Sequence, residues 1–405
     1  MNTHTHPAET ISQNGLWSRL VAGAFSLVLD RLDRGIVAGS IDAILPDGSK
    51  RIVGGRGAGP QAVLIINRWN ALLRMFSGGS VGGYEGWERG EWESPDLVTL
   101  FDVFMRNRVT LGGTARASGL SRMMKRFAHS MHRNDRQGAK RNIMAHYDLG
   151  NDFYASWLDN TMSYSSARFV DDETLEVAQA HKVDLLAARL SLSANSRVLE
   201  IGCGWGHVSG TLSELGHDVT AITISPAQKL YAETHNIGPD YQLCDYRDAT
   251  GTYDAVVSIE MVEAVGQDYW GTYLDVIARS LKPGGRAAVQ FITINDDVFD
   301  RYASSADFIQ TYIFPGGMLL SESRFRALAE ARGFKWEAPE YFGLDYAQTL
   351  AQWRGRYEAA IIDGHLPAHF DDKFINLWRF YLMYCEGGFR GGGIDVGQVT
   401  LVKAG

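Results

Sequence analysis

The spacing of apolar residues over the first 105 positions predicts a small α+β region. Apolar side chains recur at helix-like intervals over residues 17–32, with charged residues between them, which predicts an amphipathic helix. Two β-prone runs, 39–45 and 62–66, lie among Gly and Pro turn signals and indicate an antiparallel sheet. Glycines between positions 78 and 86 interrupt this region, and Ser94-Pro95-Asp96 is typical of a helix start before residues 97–105.

A second pattern begins at Ser196, where an apolar strand, a glycine-rich turn and a helix follow one another repeatedly. Strands are predicted over residues 197–201, 218–222, 241–244, 254–259 and 286–292, with helices beginning near Ser209, Ser225 and Tyr269. This alternation indicates a doubly wound parallel sheet that binds its ligand at the carboxyl ends of the strands. We expect an N-terminal α+β domain over 1–105, a basic linker over 106–141 and a Rossmann-like α/β catalytic domain over 142–405.

Composition is consistent with a globular protein of more than one domain. The chain has 405 residues, of which 45% are hydrophobic and 21% charged, and this excludes a wholly disordered or collagenous chain. Its cysteines, Cys203, Cys244 and Cys385, are too few and too far apart for a disulfide framework or a zinc ligand set. We therefore expect no metal site and a reducing compartment.

The net charge of −8 argues against general nucleic-acid binding, but it conceals a local reversal. Ten basic residues and one acidic residue give the segment 106–141 a charge of +9, so the rest of the chain carries −17. One interpretation is a solvated surface connector. The other is attraction to anionic phospholipid headgroups, worth on the order of 1 kcal/mol for each Lys or Arg near the surface.

The beginning of the chain does not resemble a signal peptide. Residues 1–14 are polar, and the longest apolar run near them, 20–29, is about half the roughly 20 residues that a membrane span needs. We expect a cytoplasmic protein with no membrane span.

The strongest chemical motif follows the first strand of the second pattern. Glu200 ends this strand, and Gly202, Gly204 and Gly206 follow it in the spacing G-x-G-x-G. A dinucleotide site would have G-x-G-x-x-G, and an acidic strand end disfavours a nearby pyrophosphate. The segment matches the first motif of S-adenosylmethionine (SAM) dependent methyltransferases, in which the acidic residue suits the amino group of the cofactor.

Polar residues also follow the next two predicted strands. Thr223 and Ile224, with Gln228, occupy the place where such a fold contacts ribose, and Asp245 and Tyr246 occupy the place where it contacts adenine. Any one of these segments could be an ordinary polar loop. Three such segments in register are improbable by chance.

Several longer segments resemble a narrower family, the cyclopropane-fatty-acyl-phospholipid synthases, which includes the mycolic acid cyclopropane synthases. The matching segments are 146–153, 162–167, 223–228, 245–248, 261–263, 312–317 and 342–346, with the glycine loop through Trp205. The resemblance extends over residues 146–400, and the first 105 residues resemble the family only loosely. It adds Tyr164 and Ser165 to the cofactor-binding residues.

This resemblance implies methyl transfer from SAM to a cis double bond in the acyl chain of a membrane phospholipid, through a carbocation. An alkene is a weak nucleophile, so the methyl group must be held close and in line, and the cation must be kept from water. Aromatic faces and a carboxylate suit a cation. Tyr312, Phe314, Gly316 and Tyr346 are therefore expected in or beside the substrate pocket, whereas Trp353 is expected to pack in the core.

In this family a bound bicarbonate removes the proton that allows the ring to close. The resemblance implies an anion site formed by Glu263, Tyr346 and the backbone of Ile292. Ser166 and Gln290 stand where the family has Cys and His. These two can donate hydrogen bonds but supply no imidazolium charge, so bicarbonate would be bound more weakly or be replaced.

The predicted catalytic residues are accordingly Glu263, Tyr346, Gln290 and Ser166, with Glu263, or an anion held beside it, as the base. Loss of a proton from the new methyl group gives a cyclopropane, and loss from a neighbouring carbon gives a methyl-branched or methylene fatty acid. The residues support methyl transfer more firmly than ring closure.

Two other functions compete with this one. A catalytically silent lipid-binding protein would have no need of Glu200, Gln228 and Glu263 together. A methyltransferase for a small amine or hydroxyl would need a polar pocket, whereas the segment 312–346 is strongly aromatic.

A lipid substrate implies contact with a membrane, at the inner surface if the protein is cytoplasmic. The basic stretch 106–141 and the helix over 17–32 are suited to that contact, although the helix could equally pack in a domain core. Homo-oligomerisation through the N-terminal region stays open.

We expect the protein to bind vesicles that contain anionic phospholipid, and to bind them more weakly as salt is added, because the Debye length falls from about 10 Å at 0.1 M to about 3 Å at 1 M. Vesicle co-sedimentation across a salt series measures this. Binding that is indifferent to salt would rule out a role for the basic stretch.

Overall fold

The computed structural model describes residues 16–112, 149–305 and 307–405, with side chains from residue 26 onward. The helices are α1 (Leu16–Gly35), α2 (Asn70–Glu88), α3 (Leu97–Arg106), α4 (Arg108–Gly112), α5 (Asn151–Ala155), α6 (Leu175–Leu190), α7 (His207–Glu214), α8 (Pro226–His235), α9 (Trp270–Ser280), α10 (Asp296–Ala303), α11 (Glu322–Glu330), α12 (Gly343–Ile362) and α13 (Asp372–Arg390). The strands are β1 (Ser40–Ile44), β2 (Lys50–Gly54), β3 (Gln61–Ile66), β4 (Trp92–Glu93), β5 (Arg197–Ile201), β6 (Asp218–Thr223), β7 (Asp240–Leu243), β8 (Tyr253–Ile259), β9 (Leu281–Ile294), β10 (Phe334–Tyr341) and β11 (Ile394–Lys403). Most of the basic stretch lies outside the described residues.

The front of the chain folds into a four-stranded sheet in the order β2-β1-β3-β4, with α1, α2 and α3 packed around it. The expected antiparallel sheet is wrong in one pairing, because β1 runs parallel to β3 while the other two pairs are antiparallel. Alternation in β3, with Ala62, Leu64 and Ile66 buried, turns one face of this sheet toward the core.

The glycines between positions 78 and 86 do not end the secondary structure there. Helix α2 runs through them and is broken only at Gly79, whose φ of 60° lies in the left-handed region. By contrast, α3 begins where the sequence predicts, because the Asp96 carboxylate accepts a hydrogen bond from the Thr99 amide at 3.0 Å.

The second part is a seven-stranded sheet in the order β10-β11-β9-β8-β5-β6-β7. The five strands β9, β8, β5, β6 and β7, which are neighbours in that order, are parallel, and this confirms the doubly wound α/β prediction. Strand β11 pairs antiparallel with β9, and β10 pairs antiparallel with β11. Ser225 caps α8 by accepting from the Gln228 amide at 3.3 Å. The carboxyl ends of β5, β6 and β8 therefore meet at one edge, beside the amino ends of α7 and α8.

Helices α3 and α13 join the two parts through close backbone contact. A Cβ at Gly387 would lie 2.5 Å from the Cβ of Phe101 and 2.6 Å from the carbonyl oxygen of Val98. Gly391 is as tight, since a Cβ there would lie 2.6 Å from Met105. The largest apolar cluster crosses this contact and contains Leu64 and Trp92 from the front sheet with Phe380 and Leu382 from α13.

Within the described ranges, no helix has the length and apolar character required to cross a membrane. The same residues bring together no group of three or more His, Cys, Asp or Glu side chains suited to a metal ion.

We expect Gly387→Ala to lower the free energy of unfolding by about 1–3 kcal/mol, because the added methyl group forces α3 and α13 apart. Gly355, inside α12, is the matched control: a Cβ there meets no atom within 4 Å. Gly355→Ala should raise stability by about 0.5–1 kcal/mol. Urea denaturation of both variants measures the difference, and equal effects would contradict the close contact.

Candidate active site

A cavity of about 450 Å³ opens at the carboxyl edge of the parallel strands. Most of the predicted cofactor residues line it: Tyr164, Ser165, Glu200, Gly202, Gly204, Thr223, Ile224, Gln228, Asp245 and Tyr246. Of the other predicted residues, Glu263, Ile292, Phe314 and Tyr346 also line this catalytic cavity. The fold thus brings residues from distant parts of the chain to one place.

The glycine loop after β5 is shaped by its backbone. Gly202, Gly204 and Gly206 all have φ in the left-handed region, at 80°, 52° and 91°. A Cβ at Gly202 would lie 2.7 Å from Met261, whereas one at Gly204 would meet no atom within 4 Å. The loop therefore packs closely at Gly202 and leaves open space at Gly204, as a ligand cradle requires. Gly206 does not line the cavity; it packs against Tyr241 and Ala232 instead.

Two buried side chains of opposite charge face the cavity beside this loop. Glu200 is buried, and its Oε2 atom has no hydrogen-bond partner in the described parts of the chain. Lys182, on α6, is also buried, and its ammonium group donates to the Ser165 hydroxyl at 2.7 Å and to Gln179. Burial raises the pKa of Glu200 to about 7 and lowers that of Lys182 to about 8. One carboxylate and one ammonium together suit a zwitterionic amino-acid group.

The ends of β6 and β7 supply the next part of the cavity wall. The Thr223 hydroxyl donates to the Gln228 side-chain oxygen at 3.0 Å, which fixes the Gln228 amide at the cavity. The Tyr246 hydroxyl is buried and has no partner among the described residues. Asp245 is already engaged, since its carboxylate accepts from the Arg247 backbone at 3.0 Å and from its guanidinium at 2.7 Å. These residues leave polar atoms in place for a ribose and an aromatic base.

At the end of β8 a half-buried carboxylate, that of Glu260, occupies the position where the sequence predicts a bound anion. Glu260 accepts hydrogen bonds from the Ser166 amide at 2.9 Å, the Gln290 side chain at 2.8 Å and the Tyr346 hydroxyl at 2.8 Å. These donors come from three of the positions assigned to the anion site. Burial raises the pKa of Glu260, and the three hydrogen bonds and the charge of Lys182 oppose that rise.

Glu263 lies three residues further along, in a short 3₁₀ turn, and is bonded differently. One of its carboxylate oxygens accepts from the Ile292 amide, while Oε2 is buried without a partner in the described part of the protein. Burial, and then the negative charge of Glu260, raises the pKa of Glu263 to about 8. The predicted anion-site residues therefore fall into two groups, one around each glutamate.

A chain of side chains extends from Glu260 across the sheet. Gln290 accepts from the Gln398 amide at 3.0 Å, and Gln398 in turn accepts from Arg189 at 3.1 Å. The Ser166 hydroxyl points elsewhere, because it donates to the Ala167 carbonyl at 2.9 Å. Ser166 thus contributes its backbone, not its side chain, to the Glu260 carboxylate.

The chain matches the family model for mycolic acid cyclopropane synthetase over residues 134–399. It is 35% identical to the tuberculostearic acid methyltransferase UfaA1 of Mycobacterium tuberculosis, over 84% of this chain and 83% of that protein. It is 32% identical to the cyclopropane-fatty-acyl-phospholipid synthase of Escherichia coli, over 86% of this chain and 89% of that protein. The chain belongs to the mycolic acid cyclopropane synthetase family.

A solved structure supports the same assignment. The mycolic acid cyclopropane synthase CmaA1, complexed with SAH and CTAB, superposes with a TM-score of 0.61 at 30% identity, over 65% of this chain and 98% of that one. The protein is thus a SAM-dependent methyltransferase of the cyclopropane fatty acid synthase type. Glu200, Lys182 and Ser165 would hold the amino-acid end of SAM, Gln228 its ribose and Tyr246 its adenine.

Aromatic rings form another part of the cavity wall. Phe314 stacks with Tyr164 at a ring distance of 6.3 Å, and the Tyr164 and Tyr381 hydroxyls are 2.9 Å apart. Trp353 does not reach the cavity but packs in the core against Trp157 and Tyr346.

Two residues predicted for the substrate pocket lie outside the cavity lining, as the described residues define it. Tyr312 packs against Tyr84 of α2 and donates to Glu85 at 3.4 Å, and Gly316 lies in the turn that the Gly317 amide closes by donating to the Phe314 carbonyl. Their role in substrate binding stays a prediction.

Two residues of the site were missed from the sequence. Glu260 could have been suspected because it directly follows a predicted strand, one turn before Glu263, in the same register as the other strand-end residues. Lys182 gave no comparable signal, since a single Lys in an amphipathic helix is typical of a solvated face.

SAM affinity should rise as pH increases from 6 to 7, because Glu200 must be ionised to attract the SAM ammonium group and its pKa is about 7. The rise should level off as the pH approaches 8, because Lys182, with a pKa of about 8, then loses the charge that attracts the SAM carboxylate. The dissociation constant should fall by at most about tenfold per pH unit, since one proton is released. Isothermal titration calorimetry measures this.

Glu200→Gln should bind SAM more weakly and lose that dependence over the same range. Glu214→Gln, an exposed change at the end of α7, should retain it. A variant at position 200 with the unaltered pH profile would show that Glu200 does not contact the ammonium group.

Proposed function

We propose that this protein methylates the cis double bond of unsaturated acyl chains in membrane phospholipids. The observation that carries the proposal is the pair of half-buried carboxylates, Glu260 and Glu263, beside the predicted SAM site and next to an aromatic wall. SAM, when bound, supplies an electrophilic methyl group. The similarity to a cyclopropane-fatty-acyl-phospholipid synthase and to a tuberculostearic acid methyltransferase supports a lipid substrate.

The chain's own residues are suited to a carbocation on the lipid. The rings of Tyr164, Phe314 and Tyr381 line the cavity and offer negative faces to a positive centre. They also exclude water, which would otherwise trap the cation. The carboxylates of Glu260 and Glu263 lie in the same cavity wall, where low polarity strengthens the attraction of an ionised carboxylate for positive charge.

The two glutamates are suited to different roles. Glu260 accepts three hydrogen bonds, which stabilise its charged form and weaken it as a base. Glu263 has an oxygen without a partner among the described residues and a pKa raised to about 8, so its ionised form is the stronger base of the two, and the ionised fraction grows as the pH rises toward 8. In this proposal Glu260 is the fixed anion in the place of bicarbonate, and Glu263 removes the proton.

A second product follows from the same observation. Because Glu260 is held by its donors, no mobile anion is needed, and the proton can be taken from a neighbouring chain carbon as well as from the new methyl group. Loss from the chain carbon leaves a methyl-branched alkene, and loss from the new methyl group closes a cyclopropane. The 35% identity to the tuberculostearic acid methyltransferase favours keeping the methyl-branched product as a candidate.

Contact with an anionic membrane, at the inner surface if the protein is cytoplasmic, belongs to the same proposal. A phospholipid acyl chain must leave a bilayer to reach the catalytic cavity, and the basic stretch 106–141 is the feature that supports electrostatic attraction.

The test is incubation with labelled SAM and unsaturated phospholipid vesicles, followed by mass spectrometry of the fatty acids. Unsubstituted protein should add one carbon to the acyl chain, and mass spectrometry of the product distinguishes a ring from a methyl branch. Glu263→Gln should lower turnover by about 10²–10⁴-fold if Glu263 is the base. Glu260→Gln should also lower turnover, because the fixed charge is lost.

Glu260→Gly distinguishes the roles further, since residue 260 already has a φ of 48°, which glycine adopts freely. The turnover of this variant should be low, and added bicarbonate should restore part of it by accepting the hydrogen bonds that the Glu260 carboxylate accepts in the unsubstituted protein. Glu233→Gln, an exposed change on α8, is the control. Near-normal turnover of Glu263→Gln would overturn its assignment as the base, and absence of any methylated lipid from unsubstituted protein would overturn the function.

A further inference from the structure

A second apolar cavity, here called the front cavity, lies between the N-terminal part and α13. Its volume is about 310 Å³. Helices α1, α2, α3 and α13 all contribute to its wall, through residues that include Leu32, Met75, Phe104 and Phe380. A cavity of this size with aliphatic and aromatic walls is suited to a hydrocarbon chain.

The front cavity adjoins the catalytic cavity. Met105, Tyr384 and Gly388 line both. A Cβ at Gly388 would lie 3.8 Å from the end of Met105 and 3.1 Å from Ile394, so the partition between the cavities is a thin layer of side chains. Two chains that diverge from one point near this partition could enter the two cavities separately.

Arginine side chains lie on α4, against its end and in the wall of the front cavity, and one of them, Arg108, is beside the partition. Arg108 lines the front cavity, donates to the Met105 carbonyl at 3.3 Å, and has a buried Nε with no partner in the described ranges. Arg31 lines the same cavity from α1. Arg301 of α10 lies against the end of α4, since a Cβ at Gly112 would be 1.3 Å from its guanidinium. Three guanidinium groups are suited to a phosphate ester.

We infer that the front cavity binds the second, non-reacting acyl chain of a phospholipid whose unsaturated chain occupies the catalytic cavity, with the lipid phosphate at Arg108, Arg31 and Arg301. This inference rests on the proposed function. It follows from three observations together: two adjoining cavities, a thin partition, and positive charge next to the partition. A single-chain lipid would leave the front cavity without a ligand.

Photo-crosslinking tests the inference without requiring turnover. The probe is a phosphatidylglycerol in vesicles, with a diazirine on either its saturated or its cis-unsaturated chain, used with the full chain. The saturated-chain probe should label α2 and α3 residues such as Met75 and Phe104. The unsaturated-chain probe should label the catalytic cavity near Phe314. Labelling of the front cavity by the unsaturated-chain probe, or no labelling there by either, would overturn the inference.

A substitution provides a second readout. Gly83 lines the front cavity, and a Cβ there would meet no atom within 4 Å, so Gly83→Leu adds volume without a backbone clash. Its turnover of diacyl phospholipid relative to the corresponding lysophospholipid should fall about tenfold, because the displaced chain loses several buried methylene groups. Gly78→Leu, on the same helix but outside the cavity lining and equally unobstructed, should keep the original ratio.

The outcomes of these two experiments distinguish failure of this inference from failure of the proposed function. If unsubstituted protein methylates phospholipid while Gly83→Leu and Gly78→Leu have the same diacyl-to-lyso ratio, the front cavity does not hold the second chain. If unsubstituted protein methylates no lipid, the proposed function fails, and the crosslinking pattern still decides where each chain lies.

The position of the lipid phosphate has its own test. Arg108→Met should lower the preference for phospholipid over uncharged diacylglycerol, and an unchanged preference would show that the phosphate does not bind at Arg108.

Discussion

The partial burial of two carboxylates, Glu260 and Glu263, after the end of β8 is the constraint on which the site depends. Removing an ionised carboxylate from water is costly unless hydrogen bonds replace its hydration. Glu260 receives those bonds from the segment before α6, from β9 and from α12, and Glu263 receives one from β9. The sheet and the helix that covers it must therefore be correctly placed before either charge is tolerated. The same few hydrogen bonds therefore contribute to the stability of the fold and hold the two carboxylates in position in the site.

This coupling explains why a row of hydrogen-bonded polar side chains extends away from the ligand cavity. Gln290 can donate to Glu260 in the right orientation because Gln398 donates to its oxygen, and Gln398 is oriented by Arg189. The last of these residues lies on α6 and the middle one on β11, the antiparallel strand next to β9. The antiparallel extension of the sheet thus supports the chemistry at its parallel centre.

Much of the fold could be predicted from local signals, whereas the donors of the central carboxylate could not. Strand ends, the glycine loop and the caps at Asp96 and Ser225 depend on residues close in sequence, and they were found where predicted. The contacts of Glu260 join residues separated by 94, 30 and 86 positions. The resemblance to the family selected Ser166, Gln290 and Tyr346, but it gave no means of seeing that a side chain of the protein itself meets them. The parallel pairing of β1 with β3 and the continuation of α2 through its glycines were missed for the same reason, because tertiary packing determines them.

The glycine contact between α3 and α13 limits how this protein can be recombined with its relatives. Gly387 and Gly391 fit the backbone of α3 so closely that the two helices form a matched pair, although they are far apart in the sequence. A chimera that took its first 106 residues, and so the whole of α3, from a homologue would pack a new α3 against the original α13. Unless both helices were exchanged together, the front part would no longer seat on the catalytic part. Two segments that are distant in the sequence must therefore be exchanged together, because they pack against each other.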